Sequence, residues 1–351
     1  MHSSSTTSDN ALSLRLYRLL LLAYPRAFRE EYASEMSLLF RDVYYETLQQ
    51  QGMLGVLRLW GDVFYDLVKT VCIEHMRNWI YRGERDFALA GKEQLAMTLP
   101  FTLNVAQRTD IGRVRANNED NLISIVPEDR RLLQEKGALF VVSDGMGGHD
   151  HGEVASELTV QKIKQCYYQD RQHYIPCALQ EAIKQANSAI YQMSEKEQPQ
   201  GEKKFSMGAT CVAAVLHDQM LYAANVGDSR VYVLHEGKLR QITRDHSVVA
   251  QMVERGEITP AEARTHEKRN QLYRSLGLPE VEVDLFTEPV QGGDTLVLCT
   301  DGLCSVVEDE ELRAIIEQYS PEESVQHLIA RANESGGPDN VTAIVVRISA
   351  A

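Results

Sequence analysis

The chain has 351 residues, which at about 100–200 residues per domain suggests two domains or one large domain with an appendage. Hydrophobic residues make up 44% of it and charged residues 25%, a composition typical of a globular protein with a sizeable core and not of a fibrous or disordered chain. The formal net charge of -14 disfavours nucleic acid as a partner, because duplex binding needs a basic surface.

The negative charge is unevenly distributed along the chain. Residues 1–92 contain 11 basic and 11 acidic side chains, so the whole excess lies after Lys92. An acidic site that handled an anion would repel it, and a bound cation would remove that repulsion. The second part of the chain is therefore where a metal-assisted site is expected.

The start of the chain predicts neither secretion nor a membrane span. The six cysteines form no Cys-x-x-Cys pair and follow no secretory signal, which indicates reduced thiols. The longest apolar run near the start, Leu19 to Ala23, is far below the about 18 residues that a membrane span needs. We expect a cytoplasmic protein, with membrane association only through a partner.

Residues 1–82 predict a small helical module. Apolar side chains recur at helical spacing in three stretches, and Pro25 ends the first of them. Such stripes most often pack on one another. The string from Leu16 to Tyr32, followed by Glu35-Met36 and Trp60, resembles the helical prefix that precedes some bacterial membrane permeases. The resemblance implies a docking module with a membrane-proximal partner.

After a predicted linker over 83–100, the pattern changes to a second domain over 101–349. Its predicted elements, in order, are strands near 103–107 and 122–126, a strand ending at 143, helices over 153–168 and 176–193, a strand meander over 208–234, a helical flap over 245–277 and strands near 295–300 and 341–346. Strands, two helices and then more strands favour an α+β sandwich over a parallel fold.

Three aspartates stand at the ends of predicted strands in this second domain. The apolar run that begins at Ala138 stops at Asp144 and turns into glycines, of which Gly145 is the first. A second apolar run ends in the same way at Asp301, and Asp339 comes shortly before a third. Strands that deliver carboxylates from distant parts of a sequence predict one shared site.

A dense polar cluster precedes the second predicted strand. It contains Arg115, Asn117, Glu119 and Asp120. A solvated turn would explain such a cluster. If the segment were extended, however, Arg115 and Glu119 would point to the same side by the two-residue period of a strand, which would place a cation and an acid at one site.

The order of these motifs resembles the metal-dependent serine/threonine protein phosphatases (the PPM, or type 2C, family), bacterial branch. The motifs are Arg115-xxx-Glu119-Asp120, Asp144-Gly-Met-Gly-Gly148, Gly208-Ala-Thr210, Gly227-Asp-Ser-Arg230, Asp301-Gly302 and Asp339-Asn340. The resemblance spans about residues 102–348. It implies two packed antiparallel β-sheets flanked by helices, an α/β/β/α sandwich, with metal ions at one end.

The resemblance also implies two ions, Mn²⁺ or Mg²⁺, that activate a water for attack on phosphorus. Oxygen ligands suit these hard ions and do not suit zinc. The implied roles are Asp144 as the ligand of both ions, Gly145 as a carbonyl ligand, Asp301 and Asp339 as further ligands of one ion, Glu119 and Asp120 as holders of the second ion's ligands or waters, and Arg115 as the group that binds the phosphate.

Two positions depart from the family pattern. Eukaryotic relatives carry a histidine after the Asp-Gly pair as a proposed proton donor, whereas this chain has Met146. His149 or a metal-bound water would then supply the proton, and the alternative for His149 is a structural role. A third ion is held in bacterial relatives by an aspartate shortly before the Gly-x-Thr motif, whereas Glu197 to Met207 contains no Asp. Glu202 is the candidate substitute, but Lys203 and Lys204 beside it are typical of a solvated turn. Asp228 and Arg230 are interpreted as a structural turn with a salt bridge.

The function predicted in this way is hydrolysis of phosphoserine and phosphothreonine in proteins. The expected partners are phosphorylated proteins, among them a Ser/Thr protein kinase and its substrates. One alternative is a non-catalytic module of the same fold that binds phosphoproteins, which would be expected to have lost one of the site residues. A second alternative, a two-metal hydrolase of phosphodiesters such as nucleic acid, is disfavoured by the acidic charge.

Overall fold

The computed structural model describes residues 101–147, 151–197 and 207–350, together with eight isolated positions before residue 61. The chain divides into two compact units, Met1–Ala96 and Met97–Ala351, which we describe separately. Among the described residues, no helix is both long enough and apolar enough to cross a membrane.

Few residues of the first unit are described. The ring of Tyr17 stacks on Phe40 with centroids 4.0 Å apart, and Trp60 meets Phe40 edge-on at 5.3 Å. The linker over 83–100 and most of the predicted module over 1–82, with its resemblance to a permease prefix, lie outside the described residues. The domain boundaries therefore stay predictions.

The second unit contains eleven strands and eight helices within its described residues. The strands are β1 (Phe101–Asp110), β2 (Asp120–Ile125), β3 (Ala138–Gly147), β4 (Met207–Ala209), β5 (Cys211–His217), β6 (Met220–Val226), β7 (Arg230–His235), β8 (Lys238–Gln241), β9 (Asp284–Pro289), β10 (Thr295–Cys299) and β11 (Val341–Ala350). The helices are α1 (Arg130–Lys136), α2 (His151–Gln169), α3 (Ile175–Glu197), α4 (Val248–Glu254), α5 (Pro260–Thr265), α6 (Asp301–Cys304), α7 (Asp309–Gln318) and α8 (Pro321–Glu334).

These strands form two antiparallel sheets. The first has the order β1-β11-β10-β7-β8, and the second has the order β2-β3-β5-β6-β9, with β4 paired to β3. The two helices α2 and α3 pack on the second sheet, while α7 and α8 pack on the first. The predicted α+β class, with two packed antiparallel sheets flanked by helices, is confirmed.

Strand β3 shows how the apolar runs build this sandwich. Phe140 and Val142 face the layer between the two sheets, whereas Leu139 and Val141 face the helices α2 and α3. All four side chains are fully buried. A strand that is covered on both faces has no polar side, which explains why its sequence is continuously apolar until it reaches the end of the sandwich.

The predicted meander is wrong in one respect. β5 and β6 pair with each other, but β7 pairs with β10 and β8 in the other sheet. The chain crosses between the sheets at Gly227, whose φ of 112° is open to glycine and strained for other residues. The predicted flap over 245–277 is present as α4 and α5 with connecting turns.

Candidate active site

The aspartates predicted from the strand pattern lie at one end of the sandwich. Asp144 lies near the end of β3, Asp301 is the first residue of α6, and Asp339 precedes β11. Asp120 begins β2 and pairs with Asp144 in the β2–β3 register. Burial, followed by the nearby Asp120, Asp301, Asp228 and Asp339, raises the pKa of Asp144 well above its usual value. The structure thus brings these carboxyl groups together.

Two of these carboxyl groups carry a buried oxygen without a partner. Thr300 Oγ1 donates to Asp120 Oδ2 at 2.9 Å, but no group among the described residues donates to Asp120 Oδ1 or to Asp301 Oδ1. Burial raises the pKa of Asp120 to about 7, and burial together with Asp339 raises the pKa of Asp301 to about 6. Buried acceptors without donors are costly, and a cation would satisfy them.

The donor chemistry of this end fits Mn²⁺ or Mg²⁺. Aspartate and carbonyl oxygens are the ligands that these ions prefer. In the described part of the chain, no three side chains of the His, Cys, Asp or Glu type already surround one point at metal-binding distances, so Asp144, Asp301 and Asp339 would have to come closer together to share an ion. Backbone carbonyls and water would therefore complete the coordination, as is usual for Mg²⁺.

Gly145 lies where the backbone is too crowded for a side chain. Its N–H donates to the Glu119 carbonyl at 3.1 Å. A Cβ at Gly145 would collide with the Gly152 carbonyl, and a Cβ at Gly152 would lie 2.7 Å from the Glu119 carboxylate. The glycines therefore allow Glu119, the backbone of Gly145 and the start of α2 to approach one another closely.

The segment that carries Arg115 is not extended, so the two-residue period does not explain its position. Residues 111–119 contain a turn at 112–114 and a bend at 116–117 and no strand, and the Asn340 side chain holds this segment in place. Asn340 Nδ2 donates to the carbonyls of Ile111 and Asn117, both at 2.9 Å, and its Oδ1 accepts from Glu119 N at 2.8 Å. The Asp339-Asn340 pair thus provides one candidate ligand and one residue that positions Glu119.

Arg115 nevertheless reaches the carboxylates. Its Nη2 donates to Asp339 Oδ2 at 2.8 Å, and its side chain is 47% exposed. The hydrogen bond to Asp339 raises the pKa of the guanidinium, and Asp144 and Glu119 are close enough to add to this shift. Arg115 is therefore held at the site by Asp339, while about half of its side chain stays exposed to solvent.

Thr210 explains the Gly-x-Thr motif. Its hydroxyl accepts from Asp144 N at 2.9 Å, and its N–H donates to the Asp144 carbonyl at 2.8 Å. The Thr210 hydroxyl is also 2.7 Å from the Ser229 hydroxyl. Because both polar groups of the Asp144 backbone are bonded to Thr210, which lies between β4 and β5, the backbone that carries this carboxylate is held in place.

Arg230 and Asp228 differ in their surroundings. Arg230 donates from Nε and Nη2 to Asp245 at 3.0 and 2.7 Å. Arg230 is thus in a salt bridge, but its partner lies outside the turn and is not Asp228. Asp228 instead lines the same cavity as Asp301, and burial together with Asp301 raises its pKa well above the usual value. Its position in a Gly-Asp-Ser-Arg turn gave no sign of this, because the turn lies next to the site only after the chain has crossed between sheets.

A cavity of about 580 Å³ extends from the carboxylates to the inner side of α4 and α5. Arg115, Asp301 and Asp339 line one end of it. The rest combines apolar side chains with basic and acidic ones. The apolar and basic members are Val249, Ala250, Val253, Ala263, Arg244, Arg264 and Arg269, and the acidic members are Asp228, Asp245, Glu254 and Asp309. His149 and Glu202, the candidate proton donor and third-ion ligand, lie outside the described residues.

The chain is similar to bacterial phosphatases. A family profile described as protein phosphatase 2C matches residues 126–335. The serine/threonine phosphatase stp of Listeria monocytogenes is 38% identical over 245 residues, which are 68% of this chain and 93% of that protein. The serine/threonine protein phosphatase PstP of Mycobacterium tuberculosis is 38% identical over 71% of this chain and 45% of its own length.

Solved structures agree with these relatives. The crystal structure of the Mycobacterium tuberculosis phosphatase PstP matches with a TM-score of 0.62 at 38% identity, covering 70% of this chain and 99% of that one. The PstP catalytic domain in complex with two manganese ions matches with a TM-score of 0.61 at 36% identity, covering 71% of this chain and 99% of that one.

Proposed function

Because the chain belongs to the protein phosphatase 2C family, it is a serine/threonine protein phosphatase, and we propose that it hydrolyses phosphoserine and phosphothreonine esters at a centre of two Mn²⁺ or Mg²⁺ ions. The observation that carries this proposal is the convergence of Asp120, Asp144, Asp301 and Asp339, two of them with unpartnered buried oxygens. Charged carboxylates at such a density repel one another, and bound cations would remove that repulsion at neutral pH.

The proposed ligands follow from the chemistry of these residues. Asp144 would bind both ions, and the Gly145 carbonyl would add a neutral oxygen. Asp301 and Asp339 would complete one ion, while Glu119 and Asp120 would hold ligands or waters of the other. When bound, two such metal ions would lower the pKa of a water molecule that they hold and would neutralise charge on the phosphate. Thr210 and Thr300 would keep Asp144 and Asp120 in fixed directions during turnover.

We assign binding of the phosphate to Arg115. A guanidinium presents several N–H donors in one plane, which suits two phosphate oxygens better than the point charge of lysine. The hydrogen bond to Asp339 uses Nη2, which leaves the other N–H donors of the guanidinium for the substrate. Asp339 would then orient Arg115, and Arg115 would balance the growing charge on the equatorial phosphate oxygens.

The cavity beside the carboxylates supports a polypeptide substrate. Its apolar lining from α4 and its exposed Arg244 and Arg269 suit a peptide segment on either side of the phosphorylated residue. Such a segment belongs to phosphorylated proteins, for which a Ser/Thr kinase and its substrates are the proposed partners. The non-catalytic alternative would not require Arg115 and all four aspartates together.

The test is phosphate release from a phosphothreonine peptide and from p-nitrophenyl phosphate. We expect turnover with Mn²⁺ or Mg²⁺, none in EDTA, recovery when Mn²⁺ is restored in excess, and no productive replacement by zinc, which prefers nitrogen and sulfur ligands. Full turnover in the chelator would contradict the metal mechanism. Binding of the phosphopeptide without hydrolysis under any of these metal conditions would favour the non-catalytic module.

A further inference from the structure

One histidine outside the carboxylate site holds the turn that borders it. His246 Nδ1 accepts from Gly227 N at 3.0 Å, and His246 N donates to the Gly227 carbonyl at 2.9 Å. The Asn225 side-chain amide donates to the same carbonyl at 3.0 Å. The His246 side chain is only 2% exposed, so water does not compete for these bonds. Both the N–H and the carbonyl of Gly227 are thus hydrogen-bonded to His246.

This turn is in direct contact with the residue that positions Asp144. A Cβ on Gly227 would lie 2.7 Å from Thr210 Cβ, which shows how closely the two backbones approach. Ser229, two residues later, has its hydroxyl 2.7 Å from the Thr210 hydroxyl, and that hydroxyl accepts from Asp144 N. A shift of the turn would therefore reach Thr210 and then Asp144 through two consecutive contacts.

The hydrogen bonds of the imidazole assign its tautomer. Since Nδ1 accepts from a backbone N–H, the proton of the neutral ring lies on Nε2, which is 3.2 Å from Asp284 Oδ2. Arg274 Nη1 is 3.2 Å from the same Nε2 and donates to Asp284 Oδ1 at 2.6 Å. Arg274 Nη2 also bonds Glu282. Nε2 is thus bonded to the Asp284 carboxylate, and Nδ1 accepts the hydrogen bond from the turn.

We propose that His246 is a positioning residue of the phosphatase site, which fixes the Gly227–Ser229 turn against Thr210 and so sets the direction of Asp144 and the place of Asp228 beside Asp301. The ring itself touches neither substrate nor reacting atoms. Its role depends on an unprotonated acceptor at Nδ1 and not merely on the volume of the side chain. The activity readout rests on the function proposed above, whereas the hydrogen-bond readout below does not.

Three substitutions separate the two nitrogens. In His246→Asn, the side-chain oxygen comes near the place of Nδ1 and can accept from Gly227 N. In His246→Gln, the longer amide reaches the place of Nε2 and can bond Asp284, but it leaves Gly227 N without its acceptor. His246→Leu fills the space and serves neither partner. Asn and Gln share their chemistry, so the pair is matched in everything except reach.

The activity measurement uses p-nitrophenyl phosphate and saturating Mn²⁺ with the full chain. We expect kcat to fall about 10–100-fold in the Gln and Leu variants, the range typical of residues that orient metal ligands, while KM changes little because Arg115 is untouched. We expect the Asn variant to keep most of the wild-type kcat. Equal loss in Asn and Gln, or full kcat in folded Gln and Leu variants, would overturn the proposal.

The second measurement works even if the enzyme assay shows no turnover. In chain labelled with ¹⁵N-glycine, exchange of the Gly227 amide proton should be slow in wild type and in the Asn variant and much faster in the Gln variant. A wild-type His246 whose Nδ1 carries a proton at neutral pH would also overturn the proposal. An inactive wild-type protein with a slowly exchanging Gly227 amide would instead contradict the proposed function and leave the positioning role supported.

Discussion

The layer between the two sheets and the carboxylate end of the same sandwich obey opposite physical rules. Between the sheets lie apolar side chains such as Phe140, Leu298 and Ile344, all fully buried. At the end lie carboxyl groups whose pKa values burial and mutual repulsion raise, Asp144 among them. The first region stabilises the fold whatever the solvent contains, since its free energy comes from apolar area removed from water. The second destabilises it until positive charge arrives.

A single strand serves both regions. Phe140 and Asp144 are both in β3, four residues apart, with Phe140 among the other apolar side chains and Asp144 at the site. The rigid apolar part of the strand therefore holds the charged part in place, which an isolated loop could not do. The difference between the two regions teaches that the site's geometry depends on a core that lies away from the chemistry.

The largest effect on stability should come from the apolar layer. Phe140→Ala should lower the free energy of unfolding by about 3–5 kcal/mol, because the loss of buried surface adds to the cavity left behind. Thermal unfolding should show the change, and Val126→Ala, at an exposed site, should shift stability by less than about 0.5 kcal/mol. At a temperature where Phe140→Ala is folded, its kcat should fall far less than that of Asp144→Asn, because the other apolar side chains still hold β3. A large loss of kcat in the folded variant would contradict the division into two regions.

The opposite behaviour is expected for Asp144→Asn. Removing a shared negative ligand should lower kcat/KM by more than about 100-fold, since the loss of even a supporting residue at a metal site costs about 10–100-fold. In EDTA the variant should be at least as stable as wild type, because one buried repulsive carboxylate is gone. The matched control is Asp218→Asn, whose carboxylate is 66% exposed and should be neutral in both assays. A destabilised Asp144→Asn protein with near-normal kinetics would reverse the comparison.

The pH dependence of the metal-free protein tests the repulsion directly. The pKa of Asp120 is raised to about 7 and that of Asp301 to about 6, so the folded chain binds more protons than the unfolded chain between about pH 4 and pH 7. Stability in EDTA should therefore fall as pH rises through this window. The opposite slope comes from His246, whose pKa burial lowers, and, near the lower end of the window, from carboxyl groups such as Glu262 and Glu323, whose pKa values hydrogen bonds lower.

The measurement is Tm in EDTA and in Mn²⁺ at the two ends of that window. We expect the Tm in EDTA to be a few degrees lower at about pH 7 than at about pH 4. A loss of about 1 kcal/mol in the free energy of unfolding lowers Tm by roughly 2–4 °C in a domain of this size. Mn²⁺ should raise Tm more at the upper end, where the carboxylates are charged and bind it best. A Tm in EDTA that rose steadily across the window would show that these carboxyl groups do not dominate.

A smaller change is expected at Arg115. Arg115→Ala should raise KM for p-nitrophenyl phosphate by about tenfold and lower kcat no more than that, because it removes a contact to the phosphate and leaves the metal ligands in place. Titration of Mn²⁺ by calorimetry should give an affinity near that of wild type. Arg113→Ala removes a neighbouring charge that does not line the cavity and serves as the control. Wild-type kinetics in Arg115→Ala would make its assignment wrong.

What the sequence could predict follows from the range of the forces involved. The strands that end in aspartate could be predicted, because a strand buried on both faces is continuously apolar in sequence and the aspartate marks its end. The fold class followed from the order of such runs. The backbone conformation of residues 111–119 could not be predicted, because it is held by side-chain hydrogen bonds from Asn340, more than 200 residues later. The same is true of Asp228, whose place depends on a crossing between sheets.

The smallest effect is expected from removing the first unit, Met1–Ala96. None of the candidate ligands lies before Arg115, and the Listeria monocytogenes relative is matched over 93% of its length by 68% of this chain, so the family's domain exists without such an extension. A truncated chain starting at Leu99 should keep its Tm and turn over p-nitrophenyl phosphate at close to the full-length rate, while its partners or localisation change. Full-length protein carrying Phe40→Ala, which removes a ring that stacks on Tyr17, is the companion variant and should be equally active. Two outcomes would contradict this expectation: an insoluble truncated chain, or a fall of more than about tenfold in its kcat/KM. A tenfold fall is about 1.4 kcal/mol of transition-state stabilisation. Either outcome would mean that the first unit also supports the fold or the activity of the second.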